Sequence, residues 1–440
     1  MRDFFQLYPM IFKQIKKLKE FTVIIPDDEY YVLLDNQIGK WKIIEEKYED
    51  SHDEWIESLD INRKEHEKVP ANNSSEIIIF LTDKCNLACS YCKYANLTQI
   101  NQYPEVPTSK IIETACSLIK DQNYITITFQ GGEPLLCYKQ INLICESLIT
   151  TYPSTSFNFG LQTNGTLIND QIIKVLTKYN ISVGITIDGP RDKHDKNRSF
   201  KSGKGSYDQI ITNLAAYRNI GISCGSLSVI DDPDGLRDIY NFCVKELGFK
   251  SIYLKPLEFT ETLNPNYETI KNYYEKMAVN QIKLFQQILS EFKFEKSRIS
   301  EQSLLTNLGK LFMPNSYNDG CIKTPYCGSN EAYKSINVDG NAQWCAHLKS
   351  ISDRKFKIKA KKRNDFCKNC LINSICLSFC YALLPGVQIS DNEESIAKHA
   401  QIMCDYRQSI LSGLFTIIKN DIQNSLNYFF GYQAHIRYDD

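Results

Sequence analysis

The run Cys85-Asn-Leu-Ala-Cys89-Ser-Tyr-Cys92 puts three thiols on one short stretch, with three and then two residues between them. Thiolates are soft ligands that suit zinc or iron–sulfur clusters. Three of them satisfy three irons of a cubane and leave the fourth open to a small chelating ligand. The same three also make a zinc site short of one ligand. Any fold for this chain has to hold that loop, so the pattern around it decides what is possible.

That pattern is a regular alternation. Glu76 to Thr82 is a short apolar run and reads as a buried strand, with the cysteine loop directly after it. Helical spacing follows from Ser109 to Lys120, then a strand at Tyr124–Phe129 and a helix from Lys139 to Ile149. Strand Phe157–Leu161 leads to helix Asp170–Tyr179, and strand Ser182–Ile187 leads to a helix around Tyr207–Asn219. Strand Ser223–Ile230, helix Gly235–Leu247 and strand Ser251–Pro256 complete six strand–helix units. Such a series predicts a parallel sheet with helices outside, and ligands gather at the C-terminal strand ends. A full barrel of this kind has eight units. Six leave an open side, so the expected class is α/β, a partial (β/α)6 TIM-type barrel over residues 75–258.

The flanking regions differ from it. Residues 1–74 form a small α+β region, with strands at Phe21–Pro26 and Tyr30–Asp35 and an ambiguous element at Ile38–Lys47. It reads as a peptide-binding module or a cap. Residues 259–320 are polar and helical and serve as a bridge. Residues 321–404 hold eight of the sixteen cysteines, and residues 405–440 carry a C-terminal amphipathic helix and tail. With no signal-peptide pattern and no apolar span, these cysteines predict metal ligation in a reducing cytoplasm. A net charge of −1 gives no drive toward nucleic acid, and no membrane partner is expected.

Polar, glycine-rich pieces sit where the strands end. Gln130-Gly131-Gly132-Glu133-Pro134 follows the second strand; glycine there lets backbone approach a ligand, and a carbonyl or carboxylate accepts from an ammonium. Asn164-Gly165 follows the third strand, and Thr186 and Asp188 close the fourth. Arg198 offers a fixed guanidinium suited to a carboxylate. In the second cysteine set, Cys327 is followed by Gly340 and Cys345, then by Cys367-Lys-Asn-Cys370, Cys376, Cys380 and Cys404, with Cys321 upstream. Cys-x-x-Cys pairs serve zinc as well as clusters. Cys116, Cys137, Cys145, Cys224 and Cys243 fall in or beside regular elements and read as core.

The triplet with Tyr91, followed by Gly-Gly-Glu-Pro, resembles the radical S-adenosylmethionine (radical SAM) enzymes. The second cysteine set resembles the SPASM domain appended to members that modify peptides and proteins. The resemblance covers about residues 76 to 404. It implies a [4Fe–4S] cluster on Cys85, Cys89 and Cys92 whose open iron binds SAM. It further implies SAM contacts from Gln130, Gly131, Gly132, Glu133 and Pro134 to the amino group, from Asn164, Gly165 and Thr186, and from Arg198 to the carboxylate. Two auxiliary [4Fe–4S] clusters follow by position, one on Cys321, Cys327, Cys345 and Cys380, the other on Cys367, Cys370, Cys376 and Cys404. An electron donor such as flavodoxin or ferredoxin is implied, as is reductive cleavage of SAM to a 5′-deoxyadenosyl radical that takes a hydrogen atom from a peptide or protein substrate.

Two reactions fit that resemblance. One is maturation of a ribosomally made peptide by cross-linking or a related oxidation. The other is anaerobic sulfatase maturation to formylglycine. The resemblance to the second calls for an aspartate base after the cysteine at position 345, where this chain has Ala346 and then His347. His347, Glu258 and Tyr253 are unranked candidates for a base. A non-catalytic iron–sulfur or zinc scaffold is the reading from outside enzymology.

Overall fold

Short apolar or alternating runs build the central sheet. In the computed structural model, which describes residues 12–18, 21–26, 29–35, 39–45, 75–92, 107–119, 122–259, 263, 265–313, 333–343, 370–376 and 393–438, the six expected strands all form. They are β5 (Ser75–Phe80), β6 (Tyr124–Gln130), β7 (Ser156–Thr163), β8 (Ser182–Thr186), β9 (Cys224–Ile230) and β10 (Ser251–Pro256). They pair parallel and in sequence order, which is the partial (β/α)6 barrel. Along β6, Ile125, Ile127 and Phe129 are fully buried against the outer helices, while Thr126, Thr128 and Gln130 face the other side and stay partly exposed. The inner face of the sheet is therefore polar at this strand.

Helices α1 (Thr108–Leu118), α2 (Tyr138–Thr151), α3 (Asp170–Lys178), the short α4 (Arg191–Asn197), α5 (Tyr207–Asn219) and α6 (Leu236–Asn241) follow the strands, with α4 lying beside the cysteine loop, where Ser90 N donates to Asn197 O. Local chemistry sets their ends. Asn169 caps α3 by accepting from Ile172 N at 2.9 Å, with Asp170 in the first turn and Lys178 in the last. Each fully buried Ile or Leu on this interface stabilises by about 1.5–3 kcal/mol relative to exposure. Cys145 and Cys243 are fully buried in this core, and Cys116, Cys137 and Cys224 pack partly exposed against it.

The sheet is longer than the sequence pattern indicates. β11 (Ser300–Glu301) joins β10 at one edge, and β12 (Tyr333–Ile336) with β13 (Ala342–Gln343) joins β5 at the other. The bridge, read as wholly helical, thus holds a strand between α7 (Tyr267–Glu295) and α8 (Gln302–Phe312). A two-residue strand carries no period, so pairing alone creates it. At the other end, α9 (Glu393–Asn420) runs through the expected boundary at residue 404, and α10 (Ile422–Tyr438) follows it. Cys404 therefore sits within a long helix.

Near the N-terminus, β1 (Gln14–Leu18), β2 (Phe21–Ile25), β3 (Tyr31–Asp35) and β4 (Trp41–Ile44) make an antiparallel sheet. The ambiguous element is thus a strand. One face joins the main core through Phe12, Ile24, Val32 and Leu34. Trp41 packs edge-on to Phe415 with centroids 5.3 Å apart, and its Nε1 donates to Leu311 O at 2.8 Å. The sheet is docked on α8 and α9.

Candidate active site

Four strand ends converge on the cysteine loop, and backbone bonds fasten it from two sides. On one side Leu81 N donates to Gln130 O at 3.0 Å, Gly132 N to Thr82 O at 2.7 Å and Glu133 N to Lys84 O at 2.9 Å. On the other side Ala88 N donates to Ser199 O at 2.8 Å and Ser90 N to Asn197 O at 2.9 Å. The glycine pair explains the first contact. A Cβ at Gly131, whose φ is +149°, would lie 2.5 Å from Thr82 O; one at Gly132 would collide with Lys84 O and lie 2.7 Å from Asp83 O. These glycines let two loops of the protein itself touch.

Glu133 is wholly buried, and its carboxylate binds the protein. Oε1 accepts from Leu135 N at 3.0 Å and Thr163 Oγ1 at 2.7 Å, and Oε2 accepts from Asn164 N at 2.8 Å. Burial raises its pKa, while the bonds from Asn164, Thr163 and Leu135 oppose the rise. Glu133 braces the second strand end against the third. Asn164 then reaches the cysteine loop, donating from Nδ2 to Asn86 Oδ1 at 2.9 Å and to Cys85 Sγ at 3.7 Å. Gly165, at φ +75°, carries the turn on, and its carbonyl accepts from Asn213 Nδ2 at 2.9 Å. Thr186 is buried and accepts from Gln162 Nε2 at 3.0 Å. Pro134 is buried and opens the short 3-10 helix Pro134–Cys137.

Arg198 follows α4 and is 7% exposed, which makes its bonding decisive. Nη1 donates to Tyr91 Oη at 2.7 Å and lies 4.0 Å from Asp188 Oδ2, while Nε is buried with no partner. The Tyr91 hydroxyl donates to Asp188 Oδ2, and Asp188 Oδ1 accepts from Val229 N at 2.9 Å. Asp188 N donates to His194 Nδ1 at 3.2 Å, which leaves the proton on His194 Nε2. That nitrogen faces Ser206 Oγ at 3.0 Å, and Ser206 donates to Arg198 O at 2.8 Å. Arg198 is thus held at one edge of its guanidinium and at its backbone carbonyl.

The charges are arranged by burial. Burial pushes the Cys89 thiol up to about 11, against the pull of Arg198. Cys85 is raised, first by burial and then by Glu133 and Cys92. Among the described residues no three His, Cys, Asp or Glu side chains converge to hold a metal ion. Three thiolates suit a zinc ion or three irons of a cubane. The three thiols on one loop, the close loop–loop packing and the unpartnered buried Arg198 Nε fit a cluster with a carboxylate ligand.

Burial and Arg198 lower His194 to about 3, so it stays neutral near neutral pH. The unfolded chain protonates this imidazole below about 6.5 and the folded chain does not. Stability contributed here is complete above about 6.5 and falls by about 1.4 kcal/mol per pH unit down to the folded value. Denaturant midpoints at pH 7 and pH 5 should therefore drop further for the wild type than for His194→Gln. Equal drops would mean the imidazole titrates normally.

The structure brings together Cys85, Cys89, Cys92, Gly131, Gly132, Glu133, Asn164, Gly165, Asp188 and Arg198. Gln130 joins through its carbonyl, and Thr186 lies on the neighbouring strand. Cys370 and Cys376 flank one turn, where Cys376 N donates to Ile372 O at 3.0 Å, and Cys404 lies on α9. Cys321, Cys327, Cys345, Cys367, Cys380, Ala346 and His347 fall outside the described residues. Of the proposed bases, Glu258 is ion-paired with Lys255 and Tyr253 lies on β10. Sequence reasoning missed the phenol of Tyr91 as a hydrogen-bonding group and the His194–Ser206 pair. One signal existed: His194 and Arg198 are four residues apart, one turn on a helix.

Residues 79–243 match the family described as the Radical SAM superfamily. An uncharacterized protein of Methanocaldococcus jannaschii is 29% identical over 55% of this chain and 82% of its own. A cysteine-type anaerobic sulfatase-maturating enzyme of Clostridium novyi is 29% identical over 42% of this chain and 50% of its own, so the chain spans about half the length of that relative. The solved structure of native anSMEcpe with bound AdoMet and Cp18Cys peptide superposes with a TM-score of 0.62 at 18% identity, over 79% of this chain and 99% of that one. That last likeness is one of fold. No helix among the described residues is long and apolar enough to cross a membrane.

Proposed function

We propose that this chain, whose residues 79–243 match the Radical SAM superfamily, is a SAM-dependent enzyme that modifies a side chain of a ribosomally made peptide, by cross-linking or a related oxidation. The observation that carries the reading is the buried Arg198, whose unpartnered Nε lies on the guanidinium held to the cysteine loop through Tyr91. Such a cation suits the carboxylate of SAM. Cys85, Cys89 and Cys92 would hold the cluster beside it, and Gly131–Gly132 and Glu133 keep that loop and the third strand end in register. When bound, the cluster and SAM supply one-electron chemistry that takes a hydrogen atom from carbon. Among the described residues the nine-stranded sheet ends at β11 and β13 without closing, and an open barrel of this kind would admit an extended chain.

The cofactor set proposed is three [4Fe–4S] clusters, about twelve irons per chain. Two of them would be auxiliary, on Cys321, Cys327, Cys345 and Cys380 and on Cys367, Cys370, Cys376 and Cys404. A one-electron donor of the flavodoxin or ferredoxin kind would serve the first. The partner is a peptide or protein substrate, and the compartment proposed is the cytoplasm.

A second reading, anaerobic sulfatase maturation, is favoured by the named relatives. It needs a base within hydrogen-bond reach of a thiol or hydroxyl, and Ala346 supplies none. Incubating the reconstituted enzyme with SAM, a reductant and a sulfatase-derived Cys-x-Pro-x-Arg peptide, or with a short peptide encoded beside the gene, separates the two. Mass spectrometry is expected to show a change in the second peptide and no formylglycine in the first. The reverse pattern establishes sulfatase maturation.

A further inference from the structure

The Arg198 guanidinium has two usable edges, and the protein occupies one. Nη1 is spent on Tyr91. At 4.0 Å, Asp188 Oδ2 is too far for a direct hydrogen bond to that nitrogen, so the phenol stands between anion and cation as a relay. The anion itself is anchored, because Asp188 Oδ1 accepts from Val229 N on β9. Asp188 also reaches Arg198 by a second route. Its own N–H holds His194, which faces Ser206, which donates to the Arg198 carbonyl. One route fixes the guanidinium and the other fixes the backbone beneath it. The remaining edge carries Nε, buried and without an acceptor. A buried N–H in that state is costly unless something brings an acceptor to it.

We propose that Tyr91 and Asp188 are positioning residues: they turn Arg198 so that its Nε edge meets the carboxylate of the bound ligand, and they tie that edge to the loop bearing Cys85, Cys89 and Cys92. The inference rests on the reading of Arg198 as the partner of the SAM carboxylate. It adds a coupling between carboxylate recognition and the cysteine loop, since Tyr91 is the residue immediately before Cys92. A tyrosine there does more than fill space, because phenylalanine would pack equally well and leave the guanidinium free to rotate. Weaker carboxylate binding in that variant would be specific to ligands that have a carboxylate.

The test uses the reconstituted holoenzyme and two ligands, SAM and decarboxylated SAM, with affinities from equilibrium dialysis and iron measured on the same preparations. In Tyr91→Phe the affinity for SAM should fall about tenfold. Affinity for decarboxylated SAM and iron content should hold. Arg198→Lys should show the same selective loss. If Arg198→Lys loses the preference for the carboxylate and Tyr91→Phe keeps it, the function proposed above stands and this inference falls. If wild-type protein binds no SAM, both fall. Equal weakening toward the two ligands gives Tyr91 a packing role and overturns the proposal. Asp188→Asn is the second variant: it keeps an acceptor for Val229 but presents an N–H to the Tyr91 oxygen, and the same selective loss is expected. Loss of iron in both Tyr91→Phe and Asp188→Asn would make them cluster-holding residues and also overturn it.

Discussion

Replacing Cys85, Cys89 and Cys92 together by alanine should abolish SAM cleavage and lower bound iron by about four of about twelve per chain. The fold should survive the change. The loop is held by backbone bonds at Leu81, Gly132, Glu133, Ala88 and Ser90, and none of these uses a sulfur. The hydrogen bonds that Cys85 Sγ accepts are long and weak, from Leu87 N at 3.4 Å and from Asn164 Nδ2 at 3.7 Å. Each substitution keeps a Cβ and removes one partly buried sulfur. The deficit should therefore be one of ligands, with the remaining iron held by the second cysteine set. Anaerobic reconstitution followed by iron and sulfide analysis reads the first effect, and chromatography of released 5′-deoxyadenosine reads the second. Cleavage persisting in the triple variant would remove the loop from the chemistry. Zinc in place of iron throughout would defeat the cluster assignment.

What the sequence discloses here is what local patterns can encode. The strands β5 to β10 are apolar or alternating runs of five to eight residues, and such a pattern survives without knowledge of partners. Their order follows from right-handed crossovers, so the barrel was legible. Ser300–Glu301 and Ala342–Gln343 are strands only because a neighbour offers a ladder, and two residues cannot announce that. The site divides in the same way. Residue types near strand ends marked the cysteine loop, Gly-Gly-Glu-Pro and Arg198. Their contacts were hidden because they cross the chain: Glu133 to Asn164, Asn164 to Cys85, Tyr91 to Asp188. The glycines make room for Thr82 and Lys84, a contact that residue type alone does not disclose.

That last contact carries the second large effect. Gly132→Ala should empty the triplet's cluster and weaken SAM binding together, while Gly160→Ala should do neither. A Cβ at Gly132 collides with Lys84 O and lies 2.7 Å from Asp83 O, and both obstacles are backbone. Neither can swing aside as a side chain would. Gly132 N is bound to Thr82 O at 2.7 Å and Glu133 N to Lys84 O at 2.9 Å, so relief requires breaking those bonds or shifting the loop. Lys84 directly precedes Cys85, so a shift there moves the first thiol. Overpacking of this kind costs about 1–3 kcal/mol, which is small against the whole fold but concentrated at one ligand. Gly160 is a fair control because it lies on β7, where a Cβ would first meet Thr128 Oγ1 at 3.6 Å, an ordinary contact. Its replacement should change stability by no more than about 0.5 kcal/mol. Iron per chain, SAM affinity and the urea midpoint, measured on both variants, check the pair. A Gly132→Ala protein with full iron and unchanged SAM affinity would show that the two loops need not touch for the site to form. A Gly160→Ala protein with the same loss would show that the effect belongs to glycine substitution in general and not to that contact.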